Sequence, residues 1–116
     1  MNWLERTELL IKKEGIEKLA KANILVVGLG GVGAFVAEFL ARAGVGKMTI
    51  VDGDVVDKTN KNRQLIALQS TINQPKAQIM AERIRDINPN IELTVINEFL
   101  EPDRAYEIIS SDYDYV

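Results

Sequence analysis

Hydrophobic and polar positions along this chain switch between two periods. From Glu8 to Ala22 apolar residues recur at helical spacing, with Leu9, Ile16, Leu19 and Ala20 near one face, which predicts an amphipathic helix. Gly15 weakens that helix and marks the expected break. Asn23 to Val27 is an unbroken apolar run that reads as a strand, Val32 to Ala43 returns to helical spacing, and Met48 to Val51 reads as a second strand. The segment from Asp52 to Gln74 is polar and long for a strand-to-helix connection, and loops of that length are functional or disordered. Pro75 suits the first turn of the next helix, and Asn88-Pro89 ends it. Between them Ile79, Met80, Ile84 and Ile87 share a face and are expected in the core. Ile91 to Ile96 reads as a third strand and Pro102 to Ser110 as a helix.

Strands alternating with helices predict an α/β fold, a Rossmann-like parallel sheet with flanking helices and right-handed crossovers. The last residues, DYDYV, read as the start of a further strand. Buried strands run for about 5 residues before a loop or helix follows. The expectation is therefore a single partial domain over residues 1–116, cut within its nucleotide-binding fold, with the remainder of the protein elsewhere.

Composition narrows the chemistry. The 116 residues carry no cysteine and no histidine, which excludes disulfides, zinc sites of the usual ligand types, a thioester on this segment and a histidine general base. A formal net charge of −3 argues against gripping nucleic acid by bulk electrostatics. It leaves open a nucleic-acid substrate held by another part of a longer protein. No apolar run reaches the ~20 residues needed to span a membrane, and the N-terminus resembles no signal sequence, so the expected location is the cytoplasm.

Candidate chemistry begins at GLGGVG. A strand feeding a helix through a tight turn needs a residue without a side chain at Gly28, close backbone approach to a phosphate at Gly30, and tight helix packing at Gly33; Gly31 adds freedom between them. The N–H groups opening the next helix favour an anion. Asp52, at the carboxyl end of the second strand, is placed to accept hydrogen bonds from ribose hydroxyls. Asp54 reads equally as a ligand or as a solvated acid. Arg63 and Lys76 flank the long loop, each either a surface cation or a phosphate ligand. Both lie beyond the carboxyl end of the second strand, the ligand side of such sheets, and Asn60 and Asn62 accompany them. A triphosphate needs cations at its far end, which Arg63 and Lys76 would supply.

The ordered set GLGGVG, VDGDVVD, TNKNRQ, QPKA and RDINPNI resembles the ATP-binding half of the ThiF-type adenylating superfamily, from Arg6 to Val116. Within it, ERTELLI, NRQLIAL and MAERIRDINP look most like the tRNA threonylcarbamoyladenosine dehydratases, which use ATP to activate a carboxylate on a modified adenosine for ring closure. The resemblance implies ATP and Mg2+ as cofactors, tRNA as substrate and a homodimer. It matches Asp52 to the ribose-binding acid, Asn60 and Arg63 to the phosphate-holding loop, and Lys76 to a phosphate-contacting lysine. It matches Arg6 to an arginine that reaches the partner subunit's site. Thr59 stands where many relatives have serine and keeps the hydroxyl. An acid that helps hold magnesium is expected past Val116; Asp112 and Asp114 come too early to replace it.

The missing histidine and cysteine fit this chemistry, because a carboxylate is already an ionised nucleophile at pH 7. What remains is alignment with the α-phosphate and neutralisation of departing charge. Three other readings remain. One is adenylation of the C-terminus of a ubiquitin-like sulfur-carrier protein, which a downstream zinc site would favour. Another is an NAD-dependent oxidoreductase, which leaves TNKNRQ and Lys76 unexplained. The third is a non-catalytic dimerising scaffold, for which Trp3, Leu4 and Leu10 offer an interface or else ordinary packing.

Overall fold

A computed structural model describes residues 3–109 and 113–116. Strands β1 (Asn23–Val27), β2 (Lys47–Val51) and β3 (Glu92–Ile96) form a parallel sheet in the order β1-β2-β3. Parallel neighbours need long crossovers, and helices α2 (Val32–Arg42) and α3 (Lys76–Ile87) supply them. On the free edge of β1, Tyr115 makes a parallel bridge with Ile24, and the Leu25 N–H donates to the Tyr115 carbonyl at 2.9 Å. Among the described residues of DYDYV the pairing with β1 is this single bridge, not a strand. Ser110, expected to end the last helix, and Asp112 lie outside the described residues.

Most of β1 and β2 is buried on both faces, as their apolar sequences require, whereas β3 leaves Glu92 and Thr94 exposed. Ile24, Val26, Met48 and Ile50 share one cluster with Leu29, Ala34, Ala37, Met80 and Ile84 beneath α2 and α3. Ile79 and Ile87 pack at its margin, as their helical spacing implied. Leu25 and Val51 turn to the other face and meet Ile108 of helix α4 (Pro102–Ile109).

Glu38 is buried between α2 and α3. Arg83 donates its Nε–H to one carboxylate oxygen, and the Arg42 Nε lies 3.5 Å from the other. Burial pushes the Glu38 carboxyl up, but the hydrogen bond and charge of Arg83, with Arg42 behind it, outweigh burial and hold it below the usual range. A carboxyl depressed in the folded state contributes stability above its unfolded pKa and loses it as the pH falls through the folded value. Glu38→Gln should accordingly be less stable than wild type at pH 7 in urea titrations. The gap should close as the pH drops below the ordinary carboxylate range. A gap independent of pH would assign the loss to packing alone.

The first helix departs from expectation. Helix α1 spans Glu5–Lys21, but Lys12 sits at φ 65°, so the break falls there rather than at Gly15. Gly15 serves the break from a distance, since a Cβ on it would lie 2.8 Å from the Ile11 Cβ. Leu9 is 82% exposed and Ala20 is exposed, while Ile16 and Leu19 are half-buried, so only part of the expected apolar face packs. Trp3 and Leu10 are likewise exposed, and ordinary packing accounts only for Leu4, whose side chain lies on Gly44. Among the described residues no helix is long and apolar enough to cross a membrane.

Candidate nucleotide site

The glycine segment forms a turn between β1 and α2 that no other residue type would allow. Gly28 and Gly31 have φ of 88° and 49°, the left-handed region where a side chain is strained. A Cβ on either would meet nothing within 4 Å, so this backbone faces open space. Gly33 has the opposite need, because a Cβ there would lie 1.7 Å from the Gly28 carbonyl oxygen. The helix therefore starts hard against the strand end, with its first N–H groups beside an open backbone. That is a cradle suited to a phosphate.

Asp52 ties this turn to the tip of β2. One carboxylate oxygen accepts the Leu29 N–H at 2.7 Å and the other accepts the Asp54 N–H at 2.8 Å. A carboxylate offers about four acceptor sites, so capacity remains for ribose hydroxyls. A pocket of about 260 Å³ opens alongside, lined by Gly28, Asp52, Asp54, Glu98, Phe99 and neighbours. Gly53 is required here too, since its Cβ would lie 2.3 Å from the Phe99 nitrogen. Nothing local in the sequence singles it out.

The long polar segment is ordered. Its neck is closed by three backbone bonds: Val56 N–H to the Gln74 carbonyl, Asn73 N–H to the Val56 carbonyl, and Lys76 N–H to the Asp54 carbonyl, at 2.9, 2.7 and 3.0 Å. Two short 3-10 turns, Lys58–Asn60 and Gln69–Thr71, lie between, and Val56, Ile66 and Ala67 enter the main core. Asp57 caps the first turn. Its carboxylate accepts the Thr59 N–H and hydroxyl at 2.9 and 3.1 Å, and the Thr59 backbone N–H, then its hydroxyl, hold that carboxyl below the usual range. The buried Asn60 answers with its side-chain oxygen, which accepts the Asp57 N–H at 2.9 Å. The Asn60 carbonyl then accepts the N–H groups of Arg63 and Gln64. Asn60 thus shapes the loop that presents Arg63.

These elements bring most of the expected residues to one end of the sheet. Lys76 opens α3 with its side chain 7% exposed and its ammonium 3.7 Å from an Asp54 oxygen. Asp54 is thereby a partner of the lysine as well as of the Val55 N–H. Arg63 is exposed and makes no ion pair among the described residues, and Thr59 and Asn62 are exposed beside it. Arg6 is not brought there. It is exposed on α1, near Leu4, which packs on Gly44 past the far end of α2. An 11-residue helix spans about 16 Å, so Arg6 is remote from its own glycine turn. Gln64, for which the sequence offers no role, is buried with its side-chain amide against Gly30.

Comparison with known proteins identifies the family. The ThiF family model matches residues 4–116. The chain is 47% identical over 116 residues to tRNA threonylcarbamoyladenosine dehydratase of Bacillus subtilis, covering all of this chain and 46% of the relative. It is 40% identical over 97 residues to molybdopterin-synthase adenylyltransferase of Salmonella typhimurium, covering 84% of this chain and 39% of that one. The crystal structure of the Escherichia coli tRNA threonylcarbamoyladenosine dehydratase in complex with ATP superposes with a TM-score of 0.92 at 45% identity, over 96% of this chain and 46% of that one. The chain thus spans a little under half the length of these relatives.

Proposed function

Because the chain belongs to the ThiF family, we propose that it is the N-terminal ATP-binding part of an enzyme that adenylates a carboxylate. The favoured carboxylate is that of threonylcarbamoyladenosine in tRNA, which then closes to a ring, and the place of action is the cytoplasm. The observation that carries the reading is the loop's return to the glycine turn. Asp52 bonds Leu29, and the loop neck delivers Lys76 beside Asp54 at the same end of the sheet. A plain dinucleotide site needs no such loop. The substrate preference is supported by the greater identity and coverage of the dehydratase relative. The molybdopterin-synthase relative supports the alternative, a ubiquitin-like carrier protein as substrate.

In this reading Asp52 orients the ribose, and the turn's N–H groups receive phosphate. Lys76 and Arg63 neutralise the phosphate chain and the pyrophosphate that departs when the carboxylate attacks the α-phosphorus. No base is needed, because the nucleophile is already ionised. Among the described residues no three histidine, cysteine or acidic side chains cluster to hold a metal. Magnesium is bound through one or two carboxylates together with phosphate oxygens, so it would enter with ATP. Arg6 would serve the partner's site in a homodimer.

The ligand test is direct. The full-length protein should bind Mg-ATP more tightly than NAD in calorimetric titrations, because Arg63 and Lys76 add positive charge where a triphosphate extends. Tighter binding of NAD would return the site to the oxidoreductase reading.

A further inference from the structure

The charge of this chain is unevenly spread. Residues 58–81 hold four of its 14 cations, Lys58, Lys61, Arg63 and Lys76, and none of its 17 acids. The overall acidic balance therefore hides a local excess of positive charge. Arg63 and Lys76 belong to the nucleotide site described above. Lys58 and Lys61 match no residue of that site, and both are exposed. The loop holds them in place. Lys58 opens the 3-10 turn that Asp57 caps, and the Lys61 N–H closes it by donating to the Lys58 carbonyl at 3.3 Å. The Lys61 ammonium donates to the Gln69 side-chain oxygen at 3.0 Å, which aims it across the loop and leaves donors for another acceptor. The neighbouring Asp57 carboxylate is committed to the Thr59 N–H and hydroxyl. Exposed amides and hydroxyls surround the lysines, among them Asn62, Gln69, Ser70 and Asn73, and among the described residues of the segment Leu68 is the only large apolar side chain exposed. A protein partner is met by a patch with an apolar or aromatic centre. Cations set among amides and hydroxyls suit the phosphates and sugars of RNA, whose 2′-hydroxyl both donates and accepts.

We propose that Lys58 and Lys61 bind the sugar-phosphate backbone of the tRNA substrate, outside the ATP site and next to it. This rests on the tRNA reading of the function and adds to it the surface on which the nucleic acid lies. The placement has a use. Arg63 follows Lys61 by two residues, its N–H bonded to the Asn60 carbonyl of the same turn. An RNA strand held at the two lysines passes beside the residues that would hold the triphosphate.

The test titrates tRNA carrying threonylcarbamoyladenosine into the full-length protein over a range of salt, comparing wild type with the double variant Lys58→Gln, Lys61→Gln. A second double variant, Lys18→Gln, Lys21→Gln, makes the same change of charge at exposed positions in the last turn of α1. The loop variant should bind tRNA about tenfold more weakly at physiological salt, and its plot of log affinity against log salt should flatten by about 1.4–1.8, as two phosphate contacts require. Its affinity for ATP, measured by calorimetry, should equal that of wild type, and the α1 variant should bind tRNA as wild type does. Equal weakening in the α1 variant would overturn the proposal by showing an effect of bulk charge. Loss of ATP affinity alongside tRNA affinity would overturn it by tying the lysines to the nucleotide site or to the fold of the loop. A ubiquitin-like carrier protein whose binding weakened in the loop variant, in place of tRNA, would overturn it by giving the surface to a protein. A wild type that binds no tRNA would overturn the tRNA reading as well. A loop variant with wild-type tRNA affinity and salt slope would overturn this assignment alone.

Discussion

Arg63→Ala should lower turnover of the full-length protein by about 10²–10³, far more than it weakens ATP affinity. The expectation follows from how the arginine is held. Its backbone N–H is pinned to the Asn60 carbonyl at 3.1 Å, but its side chain is exposed and makes no ion pair among the described residues. On the proposed reaction, such a side chain would give less binding energy in the resting state than where charge accumulates as pyrophosphate leaves. Lys76 differs in already being paired with Asp54 and buried. Asp52 should respond in the opposite manner. Its two oxygens accept N–H groups from the glycine turn and from the loop, and an asparagine can accept only one of them. Asp52→Asn should therefore weaken ATP binding, with a smaller change in the rate at saturation. Pyrophosphate exchange, measured against ATP concentration, separates the two effects. If both variants altered only the apparent ATP affinity, the role given to Arg63 would be wrong.

The contrast between these residues shows which parts of the site can be read from sequence. The glycines and Asp52 are legible in their placement, because it comes from local backbone demands: a left-handed turn, a helix start and a strand end. The bounds of β1, α2, β2 and α3 follow for the same reason, set by runs of apolar residues with punctuation at each end. The loop is only half legible. Its length and polarity mark it, yet its order comes from reciprocal capping between Asp57 and Asn60 and from burial of Val56, Ile66 and Ala67. The Asp-x-x-Asn spacing was a usable capping signal. Gln64 gives no local signal, because its burial comes from contact with Gly30 far back along the chain. Helix α1 is legible as a helix but not in its details. Its apolar positions promise a packed face, yet the helix is kinked at Lys12 and Leu9 is exposed.

Arg6→Ala and Arg63→Ala should each be nearly inactive as homodimers of the full-length protein, and mixing them should restore activity. The argument is geometric. Leu4 packs on Gly44, past the end of α2 opposite the glycine turn. The turn starts α2 and Gly44 follows its end, so the length of that helix, about 16 Å, lies between Arg6 and its own phosphate cradle. An arginine side chain does not cover that distance. A two-fold dimer whose interface sets α1 against the partner's loop would bring this exposed arginine to the other subunit's site. A mixed dimer then holds one site with both arginines intact and one with neither. Random exchange makes half the dimers mixed, so about a quarter of wild-type activity should return. Activity that stays at the level of the separate variants, with subunit exchange confirmed, would show that Arg6 acts within its own chain or has no part in the reaction.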